Sequence, residues 1–222
     1  MCRLFLPEGG LMEQTYKTVG CKAQDEFTEQ RSRFIGYVRP VKTEEEALAF
    51  IEEKKKYHWD ARHNVYAYSL REGGIKRFSD DGEPHGSAGA PVLDVIVKSG
   101  VTDAVIVVTR YFGGILLGVG GLVRAYTRAA KIALEAGKIV TVQMCSVCRV
   151  VCDYNMYGII SGLIPANGGI IDDTGFADTV TVDFHITPAG LSLLTKQLAD
   201  RTCGKAVPEI LGEKFFSDIK NN

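Results

Sequence analysis

Residues 103–131, DAVIVVTRYFGGILLGVGGLVRAYTRAAK, decide the fold. The first eight form an almost continuous apolar run of strand length, the pattern of a strand covered on at least one face and central in its sheet. Gly113, Gly114, Gly118, Gly120 and Gly121 then fall within nine residues. Beyond them Leu122, Ala125, Ala129, Ile132 and Ala133 share one helical stripe that stops at Gly137, a good residue to follow a helix end. The segment reads as strand, glycine-rich turn and helix.

Upstream, residues 16–23 and 33–41 alternate apolar with polar residues and suggest an antiparallel pair, with the charged stretch QDEFTEQRS between them as a connector. Thr43 and three glutamates supply a cap and an acidic first turn for a helix ending near Tyr57 in a lysine-rich last turn. HNVYAYSLR, residues 63–71, alternates again as a strand. FSDDGEPHGSAGAP, residues 78–91, is too patterned for a linker and too polar for an element, and reads as a shaped loop with Ser87 capping the helix after it. Residues 92–97 have helical spacing.

Downstream, residues 142–154, 156–163, 169–174, 180–187, 188–201 and 206–215 read as strand, helix, strand, strand, helix and strand. That is the βαββαβ order of a ferredoxin-like domain. Pro188 and Gly204 punctuate its second helix. The chain therefore reads as α+β with two domains, residues 1–138 and 139–222.

At 222 residues, 45% hydrophobic and 24% charged, the chain can bury ordinary cores, and disorder is excluded as its main state. A formal charge of -1 excludes a general polyanion-coating protein, so any nucleic-acid contact needs a local patch. The longest apolar run falls short of the roughly 20 residues that cross a bilayer. Pro7, Glu8 and two glycines interrupt the N-terminal apolar stretch before a signal core forms, so the expected location is cytoplasmic. The six cysteines are too sparse for a disulfide scaffold. Cys145 and Cys148 have C-x-x-C spacing, but strand periodicity sends them to opposite faces and they read as structural. No metal and no cofactor are expected.

Two stretches could carry chemistry. In the first, the glycines let a ligand approach backbone N–H groups at a helix start, which favours an anion; equally, they could serve only tight packing. Arg124, Arg128 and Lys131 follow at i, i+4 and i+7 as a basic stripe, with Arg110 and Tyr111 before the turn. Neither a Walker A lysine nor G-x-G-x-x-G spacing is present, so nucleotide hydrolysis is not supported. In the second stretch Asp80, Asp81, Glu83 and His85 could form an acid–base group, although a stabilised turn explains them more simply. His58, His63 and His185 read as structural.

Together FSDDGEPHGSAGAPVL and VVTRYFGGILLGVGGLVRAYTRAA, preceded by DARHNVYAY, closely resemble the signature of the YigZ/IMPACT family. The resemblance covers residues 32–137 and places the family motif on Asp80, Asp81, Gly82, Glu83, Pro84, Gly86, Gly89 and Pro91. It also places it on Arg110, Tyr111, Gly113, Gly114, Gly118, Gly120, Gly121, Leu122, Arg124 and Ala125. Ser87 stands where the family usually has Thr, and Ala90 where a basic residue is common, which weakens a phosphate contact from the loop.

The resemblance implies a first domain like the second domain of a small-subunit ribosomal protein, a β-sheet backed by helices. It implies a second domain similar to the last domain of elongation factor G. Eukaryotic members are linked to translational control by competing for the activator of a kinase that senses uncharged transfer RNA. The function expected is thus a cytosolic translation-associated regulator that binds RNA, the ribosome or a translation-related protein. Its surface would be Arg110, Tyr111, Gly113, Gly114, Gly118, Gly120, Gly121, Arg124, Arg128 and Lys131. The alternative is a hydrolase or transferase acting on a small phosphorylated or peptide substrate, with Asp80, Asp81, Glu83 and His85 as its catalytic candidates.

Overall fold

A computed structural model describes residues 15–217 as two compact units, residues 16–141 and 142–217. The start of the chain ahead of residue 15, expected to be frayed, and Cys2 lie outside the described residues.

The first unit runs β1 (Thr15–Val19), β2 (Ala23–Glu29), β3 (Ser32–Pro40), α1 (Glu44–Tyr57), β4 (His63–Ser69), β5 (Lys76–Ser79), α2 (Gly89–Lys98), β6 (Ala104–Tyr111) and α3 (Gly118–Gly137). Its main sheet has the order β2-β3-β6-β4-β5, antiparallel throughout. The apolar run of residues 104–108 is explained by its place. Ala104, Ile106 and Val108 pack with α2 and α3, while Val105 and Val107 pack with α1. Helices cover both faces, so alternation disappears.

Thr43 caps α1 by accepting the N–H of Glu46, and the helix ends at Tyr57 as the lysines and the acidic first turn require. Two readings of this unit are corrected. The charged connector is itself strand β2, paired with β3 in register from Ala23↔Val38 to Glu29↔Ser32, so residues 16–23 are not the partner of residues 33–41. Its tip, Gln30 and Arg31, holds φ of 44° and 64°, the two positive angles of a two-residue hairpin turn. Further on, α3 includes Gly137 instead of stopping before it. A Cβ there would lie 2.6 Å from Val38 Cγ1, and the left-handed residue that ends the helix is Lys138, at φ 55°.

The second unit is built from β7 (Ile139–Cys152), α4 (Tyr154–Ala166), β8 (Ile170–Phe176), β9 (Val180–Ile186), α5 (Pro188–Thr202) and β10 (Glu209–Ser217). Its strands lie in the order β10-β7-β9-β8, antiparallel, so the βαββαβ chain order closes into a ferredoxin-like sheet. Thr187 accepts the Gly190 N–H, with Pro188 in the first turn of α5. Cys148 and Cys152 lie with Val150 in the core under α4 and α5, and Cys145 is outside that cluster. Burial pushes the Cys148 thiol up to about 11, which keeps it protonated and inert.

Candidate functional site

The loop between β5 and α2 is organised by Asp80. Its Oδ1 accepts the N–H groups of Ala88 (3.1 Å) and Gly89 (2.8 Å), and its Oδ2 that of Gly86 (2.8 Å). Burial works to raise this carboxyl's pKa, but the three N–H donors outweigh it and hold the group below 3.8. Asp80 thus caps α2 from nine residues upstream. Ser87, expected as the cap, instead donates its hydroxyl to the Pro84 carbonyl at 2.6 Å. The helix starts at Gly89, where a Cβ would lie 2.7 Å from the Ser79 backbone.

Asp81, at φ 45°, is tied down as well. Its Oδ2 accepts the Asn64 N–H at 2.6 Å and its carbonyl accepts His63 Nδ1 at 2.7 Å. Lys55 Nζ lies 3.5 Å from Oδ1. His85 is the opposite case, with its side chain 99% exposed, 3.8 Å from Asp80.

Glu83 turns inward and meets Arg110. Arg110 Nη1 donates to Glu83 Oε1 at 2.6 Å, and the Tyr126 hydroxyl on α3 donates to the same oxygen at 2.9 Å. Both charged side chains are more than nine-tenths buried. Burial and then the Glu83 charge drive the Tyr126 hydroxyl far above its ordinary range, so it stays a donor. Ser32 completes the cluster, 3.5 Å from Arg110 Nη2 and accepting the Gly113 N–H at 3.2 Å. The acidic loop and the glycine-rich turn therefore meet, and between them lies a pocket of about 390 Å³. Glu83, Arg110, His63 and Arg62 line it along with Phe112, Leu116 and Val119, the last three exposed and apolar.

The glycines divide by cause. A Cβ on Gly113 would lie 2.0 Å from the Arg31 carbonyl, so this glycine is required by close packing on the hairpin tip. Gly114 and Gly118 hold φ of 85° and 67° and are required by conformation. Gly120, on the first turn of α3, meets neither condition: a Cβ there would have Arg124 Nη1 as its nearest atom, at 3.9 Å. Tight packing accounts for part of the motif and leaves an open backbone surface at the helix start.

Arg124, Arg128 and Lys131 are all exposed on α3. Arg128 lies over the Phe27 ring at 4.2 Å and 4.0 Å from Glu29, so β2 holds it in place. Arg124, Arg128, Gly121, Gln30 and Glu29 line one recess. The hairpin tip adds Arg31, a cation that sequence reasoning missed along with Arg62, Ser32 and Tyr126.

Two expected ligands of the turn are engaged by other partners. Arg110 spends its charge on Glu83. Tyr111 belongs to the other sheet face, where its hydroxyl joins His58 Nδ1 (2.8 Å) and Asp60 Oδ1 (3.1 Å). His58 Nε2 in turn lies 2.6 Å from the Tyr37 hydroxyl. Among the described residues, no three His, Cys, Asp or Glu side chains converge as metal ligands, and no helix is long and apolar enough to cross a membrane.

Comparison with known proteins matches residues 30–134 to the Impact N-terminal domain and residues 150–205 to a domain of unknown function, DUF1949. The IMPACT family member YvyE of Bacillus subtilis is 34% identical over 196 residues, covering 88% of this chain and 90% of that protein. The IMPACT family member YigZ of Escherichia coli is 34% identical over 178 residues, covering 79% and 87%. Protein IMPACT of Mus musculus matches over 99 residues at 37% identity, 41% of this chain and 30% of that protein. A solved structure described as a hypothetical protein superposes with a TM-score of 0.57 at 29% identity, covering 90% of this chain and 99% of the other.

Proposed function

The chain belongs to the IMPACT family, and from that premise we propose that it is a translation-associated regulator that binds RNA, alone or on the ribosome. The contact surface is the start of α3 with the β2–β3 hairpin tip beside it. The observation that carries this reading is the open backbone at Gly118 and Gly120, with Arg124 and Arg128 following on α3 and Arg31 packed by its backbone on Gly113 of the same turn. A helix start with accessible N–H groups favours phosphate, and the adjacent guanidinium groups add charge-assisted hydrogen bonds. The near-neutral chain confines binding to this patch.

The alternative, a hydrolase or transferase at the acidic loop, finds less support. Asp80 and Asp81 are occupied by backbone N–H groups, and Glu83 neutralises Arg110. His85 faces solvent, and the Asp80 carboxylate 3.8 Å from it is already engaged by three backbone N–H groups.

The test is binding of transfer RNA and of small ribosomal subunits across a salt series. Binding should weaken steeply with salt, and Arg124→Ala with Arg128→Ala should flatten the slope by about 0.7 per lost phosphate contact on single strands. Binding that ignores salt, or survives the double substitution, excludes this surface.

A further inference from the structure

Arg33, Tyr37, Lys54, Tyr57, His58 and Tyr111 line another pocket, of about 370 Å³, where the last turn of α1 meets β2, β3 and β6. It shares no lining residue with the pocket and the recess beside α3. Lys54 is its charged centre. That side chain is only 9% exposed, and its Nζ lies 4.4 Å from the centre of the Tyr37 ring, 5.3 Å from Phe50 and 5.8 Å from Tyr57. The carboxylate it reaches is Glu53, whose Oε1 stands 3.2 Å from Lys54 and 2.9 Å from Lys22. Two ammonium groups thus share one carboxylate oxygen.

Nothing else in the lining answers that charge. Glu26, among the described residues the one carboxylate that lines the pocket, is clasped by Arg33 through Nε (3.3 Å) and Nη2 (2.7 Å). His58 engages both ring nitrogens with the Tyr37 and Tyr111 hydroxyls, and Asp60 bonds Tyr111 at 3.1 Å without lining the pocket. Lys22, Arg33 and Lys54 against Glu26 and Glu53 leave one positive charge over. A buried ammonium that shares its counter-ion is a deficit that an anion fills. Arg33 keeps Nη1 outside its pair with Glu26, so a second cation has donors to offer the same anion. The mouth is aromatic. Tyr57 is 73% exposed and Trp59 83%, the highest of any aromatic side chains among the described residues. The Tyr57 ring stands at 88° to the His58 ring with 4.7 Å between centres, which fixes its orientation while most of its surface meets solvent.

A cation would meet Lys54 and Arg33, an apolar ring would leave the surplus charge unanswered, and an inorganic ion would leave the Tyr57 face uncovered. What fits is a planar ring joined to one oxyanion. We propose that this pocket binds a free nucleoside monophosphate, its phosphate on Lys54 and Arg33 and its base stacked on Tyr57. Three phosphate oxygens can accept from both cations, where a carboxylate has two, and aromatic stacking accepts any base. The volume suits a small ligand, and one surplus charge suits one phosphate better than a chain of them. The site goes beyond the RNA reading and does not depend on it.

Calorimetric titration of the full chain with adenosine monophosphate, adenosine, ribose 5-phosphate and benzoate tests this. Adenosine monophosphate should bind about tenfold more tightly than any of the other three, Tyr57→Ala should weaken it about tenfold, and Lys54→Met should weaken it at least as much. Methionine keeps the apolar stem of Lys54 among its rings; should that variant fail to fold by circular dichroism, Tyr57→Ala, an exposed position, carries the test. In the chain with Arg124→Ala and Arg128→Ala, adenosine monophosphate should bind as in the parent, and a short 5′-phosphorylated RNA no more tightly than the mononucleotide. Absent binding, full binding by Tyr57→Ala, or loss in the Arg124, Arg128 variant overturns the site. Benzoate binding as well as the nucleotide overturns the phosphate, and a tighter 5′-phosphorylated RNA overturns the free nucleotide as occupant.

Discussion

Arg110 and Glu83 form a buried ion pair at 2.6 Å that joins the end of β6 to the loop before α2, with Tyr126 of α3 bonded to the same carboxylate oxygen. One carboxylate thus ties three elements together. Replacing Glu83 by Ala leaves a buried guanidinium unpaired and the Tyr126 hydroxyl without its acceptor, and should destabilise the chain by about 3–5 kcal/mol. Replacing both partners with Glu83→Leu and Arg110→Met should recover most of that loss, because no unpaired charge then remains. Urea denaturation of the two variants and the parent measures this. A double variant no more stable than the single one would show that the pair is not what holds the loop.

Asp80 offers a separate test of the loop. It accepts three backbone N–H groups at the start of α2, and Asp80→Ala should destabilise by about 2–3 kcal/mol, combining a lost cap with donors left unsatisfied. Asp80→Asn keeps one oxygen acceptor and should lose less. Because the folded-state pKa is depressed, the stabilisation is present above the unfolded value and disappears as pH falls below about 4. The parent should therefore lose more stability than Asp80→Asn when taken from pH 5 to acid, as followed by chemical denaturation. Parallel acid profiles would remove the carboxylate from this role.

The order of elements around β6 was legible because both faces of that strand are buried and its residues run apolar without alternation. The βαββαβ order was legible for the converse reason, a clean succession of periods whose second helix is punctuated by Pro188 and Gly204, although the residue that ends that helix is the left-handed Cys203. Strand β2 was not. Its burial rests on Phe27, which stacks on Phe34 at 5.3 Å, and its hairpin turn is Gln-Arg where Asn-Gly would have announced it. The site was legible as two motifs and not as one. Glu83 and Arg110 stand 27 positions apart, and nothing local marks Asp80 as the cap of a helix nine residues on. Leu116 and Val119 look in sequence like core residues, and only the fold leaves them on a rim.

Gly113 and Gly120 should respond oppositely to the same substitution. A Cβ on Gly113 would overlap the Arg31 carbonyl at 2.0 Å, backbone against backbone, so Gly113→Ala must part the hairpin tip from the turn and should destabilise by about 1–3 kcal/mol or more. Gly120 lies within α3 with open space around it, and Gly120→Ala should stabilise by up to about 1 kcal/mol through helix propensity. If the open backbone is what RNA approaches, Gly120→Ala should nevertheless weaken RNA binding. Thermal melting and RNA titration of both variants decide the matter, and a Gly120→Ala chain that binds as the parent does would remove Gly120 from the contact.

His58 links Tyr37 and Tyr111 on the α1 face of the sheet, and its protonation state follows from its partners. Tyr111 donates to Asp60 and so accepts from His58 Nδ1–H, which leaves Nε2 to accept from Tyr37. The ring is neutral in this arrangement. Burial lowers its pKa below 6.5, Lys54 acts in the same direction, Asp60 opposes them, and Arg33 adds the smallest lowering. The unfolded chain therefore binds a proton at a pH where the folded one does not. Stability from this group is complete above the unfolded value and is lost as pH falls from 6.5 through the folded pKa. In a titration followed by the His58 ring resonances, the midpoint should lie below 6.5. Denaturation at about pH 7.5 and about pH 5.5, on either side of the ordinary histidine value, should show a loss in the parent that is smaller in His58→Gln, whose amide can bond a hydroxyl without titrating. A midpoint at or above 6.5 would mean that the folded protein accommodates the charged ring, and the proposed chain of donors from Tyr37 through His58 to Tyr111 would have to be reversed.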